Sequence, residues 1–163
     1  MQTEQVKHTF PPIYNEHSEI LILGSFPSVK SREQQFYYGH TQNRFWKVLA
    51  YILGVPIPKT IEEKKAMLLE HRIAVWDVIE SCTITGSSDT SIKNVIVNDI
   101  NLILEHSAVK RIYVNGTKAY ELYRRYAEPN TKKEAVKLPS TSPANAAWNL
   151  ERLCQEWKKK IEL

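Results

Sequence analysis

The sequence predicts an α/β protein, a three-layer sandwich with a central, mostly parallel four-stranded sheet flanked by helices. Three observations predict it. Four short apolar runs rich in branched residues recur along the chain. Helical patterns separate them, and each run ends where a turn-forming or polar loop leaves. In such sheets ligands bind outside the carboxyl ends of the strands, so the chemistry is expected in the loops that emerge there.

The elements follow in order. Glu19-Ile-Leu-Ile-Leu-Gly24 is a branched apolar run stopped by glycine and reads as a buried strand. Ser25 to Thr41 reads as a long loop. Gln42 to Leu53 places Phe45, Trp46, Val48, Leu49 and Ile52 at helical spacing, with Gly54 just beyond. A second helix opens at Thr60, whose partner Glu63 makes a capping box. Ile73 to Asp77 is the second strand, and Glu80 to Ser91 reads as a polar loop. Val97 to His106 reads as helical, with Asn98 a possible cap. Arg111 to Asn115 is the third strand, followed by Gly116 and a helix from Thr117 to Tyr126. Ala135 to Leu138 is the fourth strand, Pro139 to Asn145 a loop, and Ala146 to Ile161 a closing amphipathic helix.

The bulk numbers bound the class. The chain has 163 residues, the size of one domain, and 42% of them are hydrophobic, enough for a real core. Lys and Arg number 22 against 18 Asp and Glu, a net charge of +4 that permits a polyanionic partner without demanding one. Cys82 and Cys154 lie too far apart in sequence for metal-ligand spacing or a disulfide framework, so a reducing compartment is the default; neither a metal nor a cofactor is expected. No apolar run approaches the roughly 20 residues of a membrane span, and residues 1–10 have no signal-peptide core. The expectation is a cytoplasmic, monomeric, single-domain protein.

Two loops carry the candidate chemistry. The first reads Gly24-Ser-Phe-Pro-Ser28, then Phe36-Tyr-Tyr-Gly-His-Thr-Gln-Asn-Arg-Phe-Trp46. Its glycine and proline force a turn, and backbone N–H groups around Ser25 and Phe26 could face a ligand. Three successive rings in a loop are natural platforms for a flat base. Core packing is at least as good an account of Phe36, whereas Tyr38, beside Gly39 and His40, suits stacking. The last loop, Leu138-Pro-Ser-Thr-Ser-Pro-Ala-Asn145, holds three hydroxyls and an amide ahead of a helix, where N–H groups attract phosphate. Alone it reads equally as a capped helix start, with Ser142 or Asn145 the cap.

This pair of motifs resembles the uracil-DNA glycosylase superfamily. His40-Thr-Gln-Asn-Arg-Phe-Trp-Lys-Val-Leu49 is similar to the matching stretch of the mismatch-specific uracil glycosylases. Gly-Ser-Phe-Pro, Tyr-Tyr-Gly-His and Ser-Pro-Ala-Asn are closer still to the hypoxanthine-DNA glycosylase branch, which acts on deoxyinosine. The resemblance runs from Ile20 to the final helix and implies a uracil-DNA glycosylase-like fold.

It also implies roles. The position that holds a catalytic Asn in the mismatch-specific family is Phe26 here, which cannot orient water. The resemblance to the hypoxanthine branch instead gives the catalytic amide to Asn43, unless Asn43 merely caps the following helix. An amide is a poor base, but it can hold a water in line with C1′ while the glycosidic bond breaks dissociatively. The last motif lacks the His of related uracil enzymes, which leaves His40 as a substitute or as a structural partner within its own loop. Asn115 resembles a base-recognition residue, and Asp77 could accept from a ring N–H of the flipped base. Ser140, Ser142 and Asn145 match the family's phosphate grip, with Ser28 beside them in the first motif. Ala144 stands near the position of a bulky wedge in relatives and is too small to serve as one.

The implied function is a DNA repair glycosylase for deaminated bases, foremost hypoxanthine, whose partner is DNA containing such a base. The alternatives are a uracil or mismatch-specific glycosylase, a non-catalytic damaged-DNA-binding module, and an N-glycosidase of free nucleosides that needs no phosphate grip.

Overall fold

The computed structural model describes residues 3–85 and 91–163. Its centre is a parallel sheet built from the four expected strands: β2 (Ile20–Gly24), β3 (Ile73–Asp77), β6 (Arg111–Asn115) and β7 (Ala135–Leu138), in the order β3-β2-β6-β7. β2 and β3 are buried at every position, as continuous apolar runs demand. The register aligns the strand ends: Gly24 pairs with Asp77, and Asn115 with Leu138. All four loops therefore leave one rim of the sheet.

Helices cover the sheet. α2 (Phe45–Leu53) buries Phe45, Trp46, Val48 and Leu49, and Gly54 ends it in a left-handed conformation at φ 68°. α3 (Ile61–Glu70) carries the expected Thr60–Glu63 capping box. α7 (Leu150–Lys160) packs on α2, with the Phe45 and Trp157 rings edge to face at 6.0 Å. Burial of each such large ring stabilises the fold by about 1.5–3 kcal/mol.

Several expectations need correction. A second, antiparallel sheet joins β1 (Thr3–Lys7), β4 (Ile79–Thr85) and β5 (Lys93–Val97) in the order β1-β4-β5. Its strand β4 occupies the first part of the expected polar loop from Glu80 to Ser91; residues 86–90 of that loop lie outside the described residues. The β4–β5 pairing shifts register twice, which breaks the two-residue alternation that marks a strand in sequence. The helix expected from Val97 starts only at Asn101 (α4, Asn101–Glu105). Asn98 does not cap it: its amide donates to the carbonyls of Asp77 (2.9 Å) and Ile79 (3.1 Å).

The long first loop contains a short helix, α1 (Val29–Gln34), capped by Ser28. The helix expected from Thr117 continues past Tyr126: α5 (Thr117–Leu122) leads through a π-helical turn, Tyr123–Ala127, into α6 (Glu128–Thr131). The closing helix begins at Leu150 rather than Ala146, capped by Asn149 and by neither Ser142 nor Asn145. Among the described residues, no helix is long and apolar enough to cross a membrane.

Candidate active site

The strand rim opens into a cavity of about 500 Å³, within the range of small-ligand sites. Gly24, Asp77 and Asn115 reach it from the ends of β2, β3 and β6. The first loop adds Ser25, Phe26 and Ser28, then Tyr38, His40 and Asn43. The last loop adds Ser140, Thr141 and Ser142. Every residue singled out from the sequence except Asn145 therefore meets in one place.

Of the three successive rings, Phe36 and Tyr37 are core residues. Phe36 stacks on Trp46 at 6.0 Å, and the Tyr37 hydroxyl donates to the Pro11 carbonyl. Tyr38 lies flat against Phe45, with centroids 3.9 Å apart and planes 14° from parallel. Its backbone is left-handed at φ 53°, a conformation that costs a non-glycine residue on the order of 1 kcal/mol or more. The Tyr38 Oη is buried and makes no hydrogen bond, the one such side-chain atom among the described residues. Burial, reinforced by the nearby Asp77 carboxylate, raises the pKa of this phenol far above its ordinary value, against the opposing influence of the Asn115 side chain. The phenol therefore keeps its proton.

Asp77 is buried and held at two points. Its backbone carbonyl accepts from Asn98, and its Oδ2 lies 2.9 Å from His8 Nε2. A carboxylate oxygen offers only acceptor sites, so the imidazole carries its proton on that nitrogen. His8 is itself buried against the rings of Phe10, Phe26 and Tyr37. The other Asp77 oxygen, Oδ1, borders Gly24: a Cβ on Gly24 would fall 2.4 Å from it and 3.0 Å from Tyr38 Oη.

Asn43 is half-buried at the opposite wall. Its Oδ1 accepts from the Phe45 N–H (3.0 Å) and from the Thr141 hydroxyl (2.9 Å). The N–H can only meet an acceptor, so the amide is fixed with its carbonyl inward and its Nδ2 outward. Thr141 is fully buried and central to the wall. Its Oγ1 accepts from Asn115 Nδ2 (2.9 Å), and its N–H donates to Asn115 Oδ1 (3.0 Å). Asn115 is thus tied to Thr141 at both ends of its amide. Asn43 also serves the start of α2: Arg44 holds the N-cap position without a side-chain cap, and the Asn43 Oδ1 takes the N–H of Phe45, the first helical residue.

Arg44 clamps the last loop instead. Its guanidinium donates to the carbonyls of Thr141 (3.3 Å), Ser142 (2.8 Å), Asn145 (3.3 Å) and Trp148. Trp157 of α7 adds a bond from its indole to the Pro139 carbonyl (2.8 Å). Ser140 and Ser142 each accept one loop N–H, from Ser142 and Ala144 respectively. Their hydroxyl protons are left to donate outward, where a phosphate oxygen would accept. Asn145 turns its amide onto the Ser140 carbonyl and does not line the cavity. His40 is exposed, and its Nδ1 accepts from the Gln42 N–H (3.1 Å), a bond internal to its loop.

His8, Arg44 and Thr141 are the residues that sequence reading missed. Only Arg44 left a trace. A cation at a helix N-terminus opposes the macrodipole, which suggests that it is used elsewhere.

The comparisons agree with this geometry. Residues 11–162 match the family model of the uracil DNA glycosylase superfamily. The chain is 37% identical over 157 residues to a hypoxanthine DNA glycosylase of Methanosarcina acetivorans, covering 94% of this chain and 96% of that one. A hypoxanthine DNA glycosylase of Methanosarcina barkeri is 34% identical over 117 residues, 71% of this chain and 74% of its own. The solution NMR structure of a Methanosarcina acetivorans protein, proposed to be a uracil DNA glycosylase, superposes with a TM-score of 0.79 at 35% identity, covering 93% of each chain. With the parallel sheet, the rim cavity and both loop motifs in place, the chain belongs to the uracil DNA glycosylase superfamily.

Proposed function

We propose that this chain is a monofunctional DNA glycosylase that excises hypoxanthine from deoxyinosine sites, acting as a monomer and without a metal. The observation that carries the reading is the cavity wall at Asp77. It presents a buried carboxylate oxygen, an obligate acceptor, at a strand end. Adenine has an acceptor at ring N1; deamination turns it into an N–H donor, which such an oxygen selects. The ring N–H of uracil fits the same oxygen, so uracil is the expected second substrate.

In the proposed reaction the flipped base enters the rim cavity beside Tyr38, whose ring is backed by Phe45. The C1′–N bond breaks and its electron pair leaves with the base. A water adds to C1′ and its proton passes to the departed base anion, so the products are neutral free base and an abasic site. Asn43 serves this step through its Nδ2, because its carbonyl is already taken by Phe45 and Thr141. An N–H donated to one lone pair of the water leaves the other lone pair for C1′. The hydroxyls of Ser140 and Ser142 hold phosphates beside the lesion, whereas Ser28 spends its proton on Ser31 and caps α1.

The test is single-turnover release of base from a deoxyinosine duplex. Asn43→Ala should slow it about 100-fold, the scale of losing one positioned catalytic group. A variant that releases hypoxanthine at the unmutated rate would remove Asn43 from the chemistry.

A further inference from the structure

The reaction as described lacks a donor for the departing base. As the glycosidic bond breaks, negative charge spreads onto the ring carbonyl, and enzymes stabilise such charge with a pre-placed hydrogen bond. His40 is exposed and occupied within its loop. Asn115 commits its oxygen and one of its two N–H groups to Thr141, which holds its amide against the wall. The Tyr38 hydroxyl is different. It is buried, protonated, at the cavity and without an acceptor, while its backbone is held in a strained left-handed conformation. A buried unmade hydrogen bond is costly, and at the wall of a cavity an incoming ligand with an acceptor relieves that cost.

We infer that the Tyr38 hydroxyl is the donor that reads and stabilises the carbonyl oxygen of the deaminated base, paired with Asp77 as acceptor for the adjacent ring N–H. Both groups converge on the same spot, 2.4 and 3.0 Å from where a Gly24 side chain would begin. An acceptor beside a donor complements the N1–H and O6 edge of hypoxanthine. The carboxylate opposes adenine, whose N1 is an acceptor, while the phenol, which can also accept, tolerates the amino group, so discrimination against adenine rests on Asp77. The role replaces base stacking: the ring stays packed on Phe45 and presents its hydroxyl to the edge of the base, where it supplies recognition and leaving-group stabilisation.

This inference rests on the glycosylase reading above, and Tyr38→Phe separates the two, since it keeps the ring and its stack on Phe45 while removing the hydroxyl. On a deoxyinosine duplex it should lower the single-turnover rate by about 10- to 100-fold. Replacing the substrate O6 by sulfur, a weak acceptor that keeps N1–H, should slow the unmutated enzyme but barely affect Tyr38→Phe. Equal rates for Tyr38→Phe and the unmutated enzyme, with Asn43→Ala still slow, would overturn the hydroxyl's role and leave the glycosylase reading standing. If the unmutated enzyme neither releases base nor binds the lesion selectively, both fall together.

Discussion

The two walls of the cavity differ in how far their hydrogen-bonding capacity is used. On the Asn43 side the polar groups hold one another and leave over only amide N–H groups: Phe45 and Thr141 fill the Asn43 carbonyl, and Thr141 and Asn115 bond twice. On the Gly24 side the Tyr38 hydroxyl has no partner, and only one Asp77 oxygen is bonded to His8. The first wall is a jig and the second is a mould. A closed network fixes where an amide points at no cost when ligand arrives, whereas unmade bonds create affinity only for a ligand that completes them.

Three substitutions test that contrast, from the largest expected effect to the smallest. Asp77→Asn should act on the open wall. His8 requires an acceptor, so it would hold the new amide's carbonyl and turn the NH2 toward the base. Two donors then face each other, and release of hypoxanthine should fall about 100-fold, the consequence of an unpaired buried group. Full activity in that variant would mean that Asp77 does not read the base. Arg44→Ala acts on the support of the closed wall. Four carbonyls lose a charged donor, and urea unfolding should show a loss of about 2 kcal/mol, with Arg44→Lys recovering only part because it lacks the planar fork. An unchanged unfolding midpoint would show that the last loop holds itself. Thr141→Val keeps the shape of the closed wall but removes both its bridges. We expect about a tenfold fall in the single-turnover rate with substrate affinity nearly intact, because only the aim of Asn43 is loosened. A loss confined to affinity would instead place Thr141 among the DNA contacts.

The same contrast explains what could be read in advance. The parallel sheet was legible because its strands are uninterrupted apolar runs, such as Ile20 to Gly24, and the α3 start was legible from Thr60 and Glu63. Strand β4 was not, because Glu80, Ser81 and Thr83 are polar and its pairing is irregular. In the site, Tyr38, Asn43, Asp77 and Asn115 stood out by residue type and by position at strand ends or in motifs. Thr141 did not, because one hydroxyl in a loop of hydroxyls is distinguished only by its burial and by partners 98 and 26 residues away. His8 was hidden for the same reason: it meets Asp77 across 69 residues of chain. Neither bond leaves a local pattern.

Gly24 extends the comparison to a single missing carbon. The carboxylate and the phenol come as near as they do to the end of β2 because the residue there carries only hydrogen. A methyl group at that point would have to evict one of them. The width of the slot proposed to read the base is therefore written into the backbone, and Gly24→Ala would cost selectivity and rate together by displacing the carboxylate or the phenol.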